Sequence, residues 1–401
     1  MAQRSHWKEN LEAYAYLLPS FSIVAVFGIY PLFYTIYVSL FRWRIRKGDF
    51  LGLANYEAIF GDLAWLGVLL GALTFFGLAL KLREQSLTNI HQRSQFRGEN
   101  RLRLMTPAQR VFYGSSWMAF ILGAGLLFFS LPNLYFFGDD KMFDSLRVTV
   151  WYSLGAVPLQ LVGGLAVAWL LNRKFKGRQF FRVVYLLPYI VPVVAGAAVF
   201  ERLFSLRPES FANQVLLGLG IPPQEWLLER RGLVTMLTGW AAGESGNTVL
   251  GYWQSWIEGP SLALVSILAF NWWVFTGYYA LIFANGLSQI PKELYEAAEV
   301  DGASRRSVFF RIVLPLLSPT TYFLTLLGVI GTFKSFSHIW VLRNNLAGGA
   351  ADPLSIYIFA VFYGRSRFGY ASALSIVLTI IVLLLTVLQQ RAAKDRVHYG
   401  E

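Results

Sequence analysis

Eight long apolar runs separated by shorter polar segments set the pattern of this chain: residues 15–40, 62–81, 111–136, 148–171, 182–204, 261–286, 315–341 and 371–390. Each is close to, or longer than, the roughly 20 residues a helix needs to cross hydrocarbon. Backbone groups that face lipid must bond within their own segment, so the runs predict helices. Their uniform apolarity lacks the alternation of a membrane barrel strand. The first run, "AYLLPSFSIVAVFGIYPLFYTIYVSLF", exceeds the about 7–15 residues of a signal-peptide core and is followed by no small-residue cleavage site. It is expected as the first transmembrane helix of an all-α, polytopic membrane protein with about eight spans.

Composition agrees. Of 401 residues, 55% are hydrophobic and 14% charged, against about 25% charged in soluble domains. The net charge is +12, which in a soluble chain would suggest nucleic acid. Here the basic residues lie between the apolar runs and read as topology signals in a lipid bilayer. With the N-terminus placed in the cytoplasm, the cytoplasmic segments hold 21 Lys and Arg and the outer ones 12. This predicts both termini on the cytoplasmic side of a prokaryotic plasma membrane, although "RWRIRK" at 42–47 runs against the bias. The absence of cysteine excludes disulfides and thiolate chemistry. The four histidines, His6, His91, His338 and His398, show no metal-ligand spacing, so no metal is expected.

The second run opens on "FGDLAW" (60–65) and the third closes on "FGDDKMF" (137–143). The echo suggests a two-helix hairpin, with a basic cytoplasmic loop at 81–110, inserted at 63–136. That divides the chain into an N-terminal span and outer segment (1–62), the hairpin, and the remainder (137–401). The outer loop 205–259 is long, acidic and partly Gly-rich. It reads either as a docking surface or as a plain surface loop.

One polar stretch interrupts the pattern, "ELYEAAEVDGASRRSVFFRIVLPLLSP". Glu293 to Asp301 is rich in helix formers, and Pro291 suits a helix start. Gly302 suits a left-handed stop, and Ser304 can cap a second helix whose Val308, Phe309, Ile312 and Val313 lie on one side. Leu294, Ala297 and Ala298 read as a small-residue face. Such a helix–turn–helix either fits a partner's groove or rests on headgroups.

The spacing of Glu296-Ala297-Ala298, Gly302 and Ile312-x-Leu314-Pro315 resembles the EAA signature of permease subunits in bacterial binding-protein-dependent ABC importers. "GLANYEAIF" (52–60) and "GRQFFRVVYLLPYIVPVVAGAAVFERLF" (177–204) resemble the sugar-importer branch, close to the larger permease subunit of maltose-type systems. The resemblance covers most of the chain apart from about 63–136. It implies an ABC importer permease fold with a six-helix core plus the inserted hairpin. It also implies translocation of an oligosaccharide or glycoside, and a coupling loop at about 290–315 made of Glu296, Ala297, Ala298, Asp301, Gly302, Ile312, Leu314 and Pro315. The implied partners are a second permease, two ATP-binding subunits and an extracytoplasmic solute-binding protein. ATP and magnesium would belong to the ATPase. In agreement, this chain has no G-x-x-x-x-G-K-[ST] phosphate loop and is not expected to be an enzyme.

By the same resemblance Asn271, Trp273 and Tyr278 fall at sugar-contacting positions, and Thr332 and Ser335 match two more by spacing though not by type. Amides suit sugar hydroxyls and aromatic faces suit sugar rings. Lys334, beside them, would face an anionic substrate, pair with a carboxylate, or snorkel to the interface. A glycerol-3-phosphate or polyol permease of the same family is the alternative. A membrane-embedded glycosyltransferase is a distant one, because its acids would have to come from Asp139, Asp140 and Asp144, a loop group without a partnered base. The in-span carboxylates of an ion-coupled transporter are missing.

Overall fold

The computed structural model describes residues 3–87, 106–172, 175–239 and 248–393. Most of the basic loop at 81–110 (Arg93, Arg97, Arg101 and Arg103 among it), Arg173 and Lys174, part of the Gly-rich stretch at 240–247, and the tail with Lys394 and Arg396 lie outside the described residues.

Helix α1 (Gln3–Val24) runs through a π turn at Ala25–Ile29 into α2 (Tyr30–Ser39), giving one membrane-length helix, Ala13–Ser39. Pro31 explains the π turn. Its ring has no N–H and would collide with a carbonyl one turn back, and an extra residue in the turn relieves the collision. A short antiparallel hairpin follows, β1 (Phe41–Trp43) and β2 (Lys47–Phe50), with Phe41 opposite Phe50 and Trp43 opposite Lys47. It uses part of the aberrant basic cluster: the Lys47 ammonium lies 4.2 Å from the Phe41 ring centroid and 5.0 Å from that of Tyr37, a cation–π arrangement.

Next come α3 (Ala54–Phe60), α4 (Leu63–Leu87), α5 (Pro107–Phe137) and α6 (Asp140–Leu171), then α7 (Arg178–Ile190), α8 (Val193–Leu203), α9 (Phe211–Gly218), α10 (Leu233–Thr238) and α11 (Val249–Ile257). The chain continues with α12 (Leu262–Ser288), α13 (Lys292–Val300), α14 (Arg305–Val308), α15 (Leu314–Leu316), α16 (Ser318–Phe333), α17 (Ser337–Leu342), α18 (Leu354–Phe359) and α19 (Phe368–Ala393).

The expected spans number six to eight among the described residues, eight if each broken pair is one span. Six helices are long and apolar enough to cross a membrane unbroken, whereas 182–204 and 315–341 are bent pairs, α7/α8 at 92° and α14–α15/α16 at 62°. Pro192 drives the first bend. The residue before a proline is pushed out of the helical region, and Val191 is extended (φ −65°, ψ 139°). The second falls at Leu317 (φ −83°, ψ 0°), between Pro315 and Pro319. A second π turn, Phe309–Val313, precedes Pro315 as the first precedes Pro31. The helix also ends earlier than expected. It stops at Phe333, with Lys334 as its cap, and the chain turns through Phe336 (φ −138°, ψ −62°) into α17.

The chain divides into two compact units: Met1–Asn55 with Asp144–Thr238 and Gly259–Glu401, and Tyr56–Phe143 with Gly239–Glu258. The first has two apolar cores. One gathers Tyr152, Ala197, Ile267, Phe270, Ile339 and Ile356. The other gathers Ala168, Phe283, Leu287, Val313, Leu317 and Leu324. The second unit is built on α4 and α5, packed along their length where Gly123 meets Ala72 and Phe75. A Cβ there would lie 3.1 Å from the Ala72 carbonyl oxygen and 3.3 Å from Phe75 Cβ. Small residues of this kind let membrane helices approach closely.

Candidate functional site

Two places in the first unit carry the residues singled out above. The first is the polar loop. Helix α13 ends as its composition predicts. Gly302 takes φ +69°, a conformation that costs other residues about 1–2 kcal/mol. The Gly302 amide donates to the Glu299 carbonyl at 3.1 Å and the Ala303 amide to the Ala298 carbonyl at 2.9 Å, closing the helix end. Ser304 then caps α14, its hydroxyl accepting from the Ser307 amide at 3.3 Å.

The faces of α13 differ from the expected grouping. Ala298 is buried with Tyr295 one turn before it, and Tyr295, Val308, Phe309 and Leu316 pack on the second core. The outward side carries Glu293, Leu294, Glu296, Ala297 and Val300, the last 87% exposed. Leu294 and Ala297 are thus on the exposed side, while Ala298, although also one turn from Leu294, is buried. Of the eight loop residues, Glu296, Ala297, Asp301, Gly302 and Leu314 are exposed, Ile312 and Pro315 are half-buried, and Ala298 is closed off. Trp169 of α6 meets Phe309 edge-on at 5.0 Å, so the loop rests on a membrane helix.

The second place is a buried polar chain. The Asn271 side-chain amide of α12 donates to the Tyr152 hydroxyl of α6 at 2.6 Å, and that hydroxyl lies 2.7 Å from His338 Nε2 of α17. Gln160 donates its amide to the Asn271 carbonyl oxygen. Ser335 Oγ is 3.3 Å from His338 Nε2, and Ser355 of α18 donates to the Ser335 carbonyl. One turn away, Thr332 donates to Ser153 Oγ at 2.9 Å. Tyr152, Gln160, Asn271, Thr332 and His338 are all buried. The Tyr152 hydroxyl thus accepts from Asn271 and shares a further hydrogen bond with the His338 ring. The chain ties α6, α12, α16, α17 and α18 together through hydrogen bonds.

The five expected pathway residues therefore divide. Asn271, Thr332 and Ser335 join this network. Trp273, 42% exposed, packs instead against Phe200 of α8 at 5.1 Å. Tyr278 stacks on Tyr189 of α7 at 4.7 Å. Lys334 is exposed at the end of α16. Sequence reasoning missed Tyr152, Gln160 and His338. Gln160, an amide inside an apolar run, is the available signal; His338 carries no spacing pattern that marks it.

The loop 205–239 is ordered by Asn213. Its carbonyl oxygen accepts from the Gln224 amide at 2.9 Å and Trp226 Nε1 at 2.8 Å, and its amide donates to Arg207 and Gln224 carbonyls. Nearby, two hydrogen bonds from the Arg231 guanidinium hold the Glu229 carboxyl below its ordinary value. Asp139 accepts from the Lys141 and Met142 amides, and Asp144 pairs with Arg147 at 3.1 Å, so these acids serve the start of α6. No group of three or more His, Asp or Glu side chains placed to hold a metal occurs among the described residues.

A largely helical, multi-pass membrane protein with broken spans, a buried polar chain between helices and an exposed helix–turn–helix between two spans has the make-up of a membrane transport subunit. The family model described as "Binding-protein-dependent transport system inner membrane component" matches residues 160–397, and the chain belongs to that family. It is 29% identical to the arabinooligosaccharides transport system permease protein AraP of Bacillus subtilis, over 64% of this chain and 71% of the relative. It is 29% identical to the sn-glycerol-3-phosphate transport system permease protein UgpA of Agrobacterium fabrum, over 73% of this chain and 90% of that one. Its fold is similar to that of a chain in the crystal structure of a bacterial ABC transporter that imports the acidic polysaccharide alginate. There the TM-score is 0.51 at 19% identity, over 70% of this chain and 91% of the other.

Proposed function

We propose that this chain is the permease subunit of an ATP-driven importer that moves an oligosaccharide or glycoside, delivered by a solute-binding protein, into the cell. It works beside a second permease and two ATP-binding subunits, which hold ATP and magnesium. Both termini lie on the cytoplasmic side. The observation that carries the reading is the loop 291–315 in a chain of this family. A short exposed helix, a left-handed glycine and a capped second helix stand between two spans and rest on a core that α6, α12 and α16 share. A push on the outward face (Glu296, Ala297) reaches those helices through Tyr295 and Ala298. Glu296, free of burial here, is the residue to meet a basic group on the ATPase. Asn271, Thr332 and Ser335 supply hydroxyl-binding groups, with Trp273 and Tyr278 as aromatic faces for the sugar.

The test is ATPase activity of the reconstituted importer. Glu296→Ala leaves the chain in the membrane but removes stimulation by substrate-loaded binding protein; normal stimulation would sink the assignment. The likeness to UgpA and the exposed Lys334 favour a second reading, a glycerol-3-phosphate permease. Uptake that phosphate esters block and neutral sugars do not would select it.

A further inference from the structure

The second unit joins two stretches that are far apart in the sequence, Tyr56–Phe143 and Gly239–Glu258. The α4–α5 hairpin is closed at its base. The Asp139 amide donates to the Ile59 carbonyl at 3.0 Å, and Gly61 and Gly138 face each other so closely that a Cβ on either would strike the opposite backbone. The hairpin thus leaves and rejoins the chain at one point.

Helix α11 docks on the half of α5 nearer that base. Trp253 Nε1 donates to the Phe128 carbonyl at 2.9 Å. The Trp253 ring stacks on Phe128 at 5.4 Å and 6°, and Tyr252 meets Tyr135 at 5.3 Å. Phe128 is eighteen residues past Arg110, the last charge on α5, or about 27 Å at a helical rise of about 1.5 Å. That is close to one hydrocarbon thickness of about 30 Å. The docking point therefore lies where a membrane helix emerges from hydrocarbon, the level at which Trp and Tyr gather.

The free side of α11 matches that level. The helix, "VLGYWQSWI", carries no charge. Leu250 (67% exposed) and Ile257 (60%) lie two turns apart on one stripe, with Gln254 between them. The hairpin on which α11 docks is itself apolar outside, with Leu70, Ile121 and Phe129 exposed on helices long and apolar enough to cross a membrane. A surface kept for a soluble protein would carry charge at its rim; this one has the composition of a headgroup-level anchor.

We propose that the hairpin and the 239–258 segment form one accessory membrane module, in which the hairpin holds α11 on the bilayer surface with Leu250 and Ile257 in the acyl–headgroup boundary. The partner of this surface is lipid. The long loop 205–259 is thereby moored to the membrane at its second half.

The chain has no cysteine, so a single Leu250→Cys or Ile257→Cys can carry a nitroxide in the full importer reconstituted in phosphatidylethanolamine/phosphatidylglycerol vesicles. Both labels should be more accessible to oxygen than to a water-soluble nickel chelate, at a depth between that of a label at Ile121→Cys and the aqueous phase. Deleting 62–137, which joins Gly61 to Gly138, should move both labels into water. Trp253→Ala should shift them the same way and serves in place of the deletion should that chain fail to insert. Aqueous labels in the intact importer would overturn the proposal, including labels that only added binding protein protects. So would depths unchanged by the deletion or, in its place, by Trp253→Ala.

Discussion

The α4–α5 hairpin and the α6–α12 helix pair are both made of long apolar helices, yet their polar groups are used differently. In the hairpin Thr74, Ser86 and Ser116 turn back on their own helix, to the Gly71, Arg83 and Tyr113 carbonyls, each at 2.7 Å. In the α6–α12 pair hydroxyls such as Thr149, Ser266 and Thr276 turn back in the same way, but a further set of polar groups reaches across, from Gln160 to Asn271 to Tyr152 and on to α17. Burial follows the same division. In the most apolar stretch of α12, 56% of residues are buried, and in that of α4, 11%. Local back-bonding holds whatever a helix does with its neighbours. A cross-helix chain holds only in one arrangement of helices, and a transporter must be able to leave that arrangement. The polar chain is thus the part suited to change state, and the hairpin the part suited to stay put.

The largest break of this contrast is Tyr152→Ala. Deleting a fully buried ring costs about 3–5 kcal/mol, and Asn271 and His338 lose their shared partner as well. Purified protein should unfold at clearly lower temperature in a detergent thermal-shift assay, and uptake should be lost. Tyr152→Phe keeps the ring and removes only the hydroxyl, so it should cost about 1–3 kcal/mol for the partners left unpaired. A Phe variant as stable and active as the parent would show the chain to be incidental.

Gly123→Leu tests the other side. The added side chain meets Ala72 and Phe75, and overpacking of this kind costs about 1–3 kcal/mol. Cross-linking between cysteines placed on α4 and α5 should weaken, while substrate-stimulated ATPase of the assembled importer stays within about twofold of the parent. A complete loss of stimulation would place the hairpin in the transport cycle and erase the contrast.

Much of this was legible in the residues. The eight apolar runs locate the membrane helices, and Pro291, Gly302 and Ser304 foretell the helix, turn and cap of the polar loop. Hydropathy carried two runs across bends because it sums side chains and ignores missing backbone donors. Pro192, and the pair Pro315 and Pro319, held that information. The polar chain was less readable. Tyr152 and His338 are 186 positions apart and Gln160 and Asn271 111 apart, and no local pattern pairs residues at such separations. Nor does any pattern in "VLGYWQSWI" say that its tryptophan bonds a carbonyl 125 residues earlier.

The finest test pairs two hydroxyls of equal burial. Thr332 and Ser116 are 4% and 5% exposed and both reach a carbonyl of their own turn, but Thr332 alone of the two also lies 2.9 Å from a hydroxyl on another helix, that of Ser153. Hydrogen bonds between membrane helices contribute about 0.5–1 kcal/mol, so Thr332→Val should lower the thermal midpoint slightly and alter the apparent affinity for substrate in uptake assays. Ser116→Ala removes a bond that competes with the helix's own ladder, and such back-bonding is neutral to slightly unfavourable in a helix interior. It should leave stability and uptake unchanged. Equal effects from the two would mean that the polar groups of α16 are packing elements like those of the hairpin, and that a change of helix arrangement does not run through them.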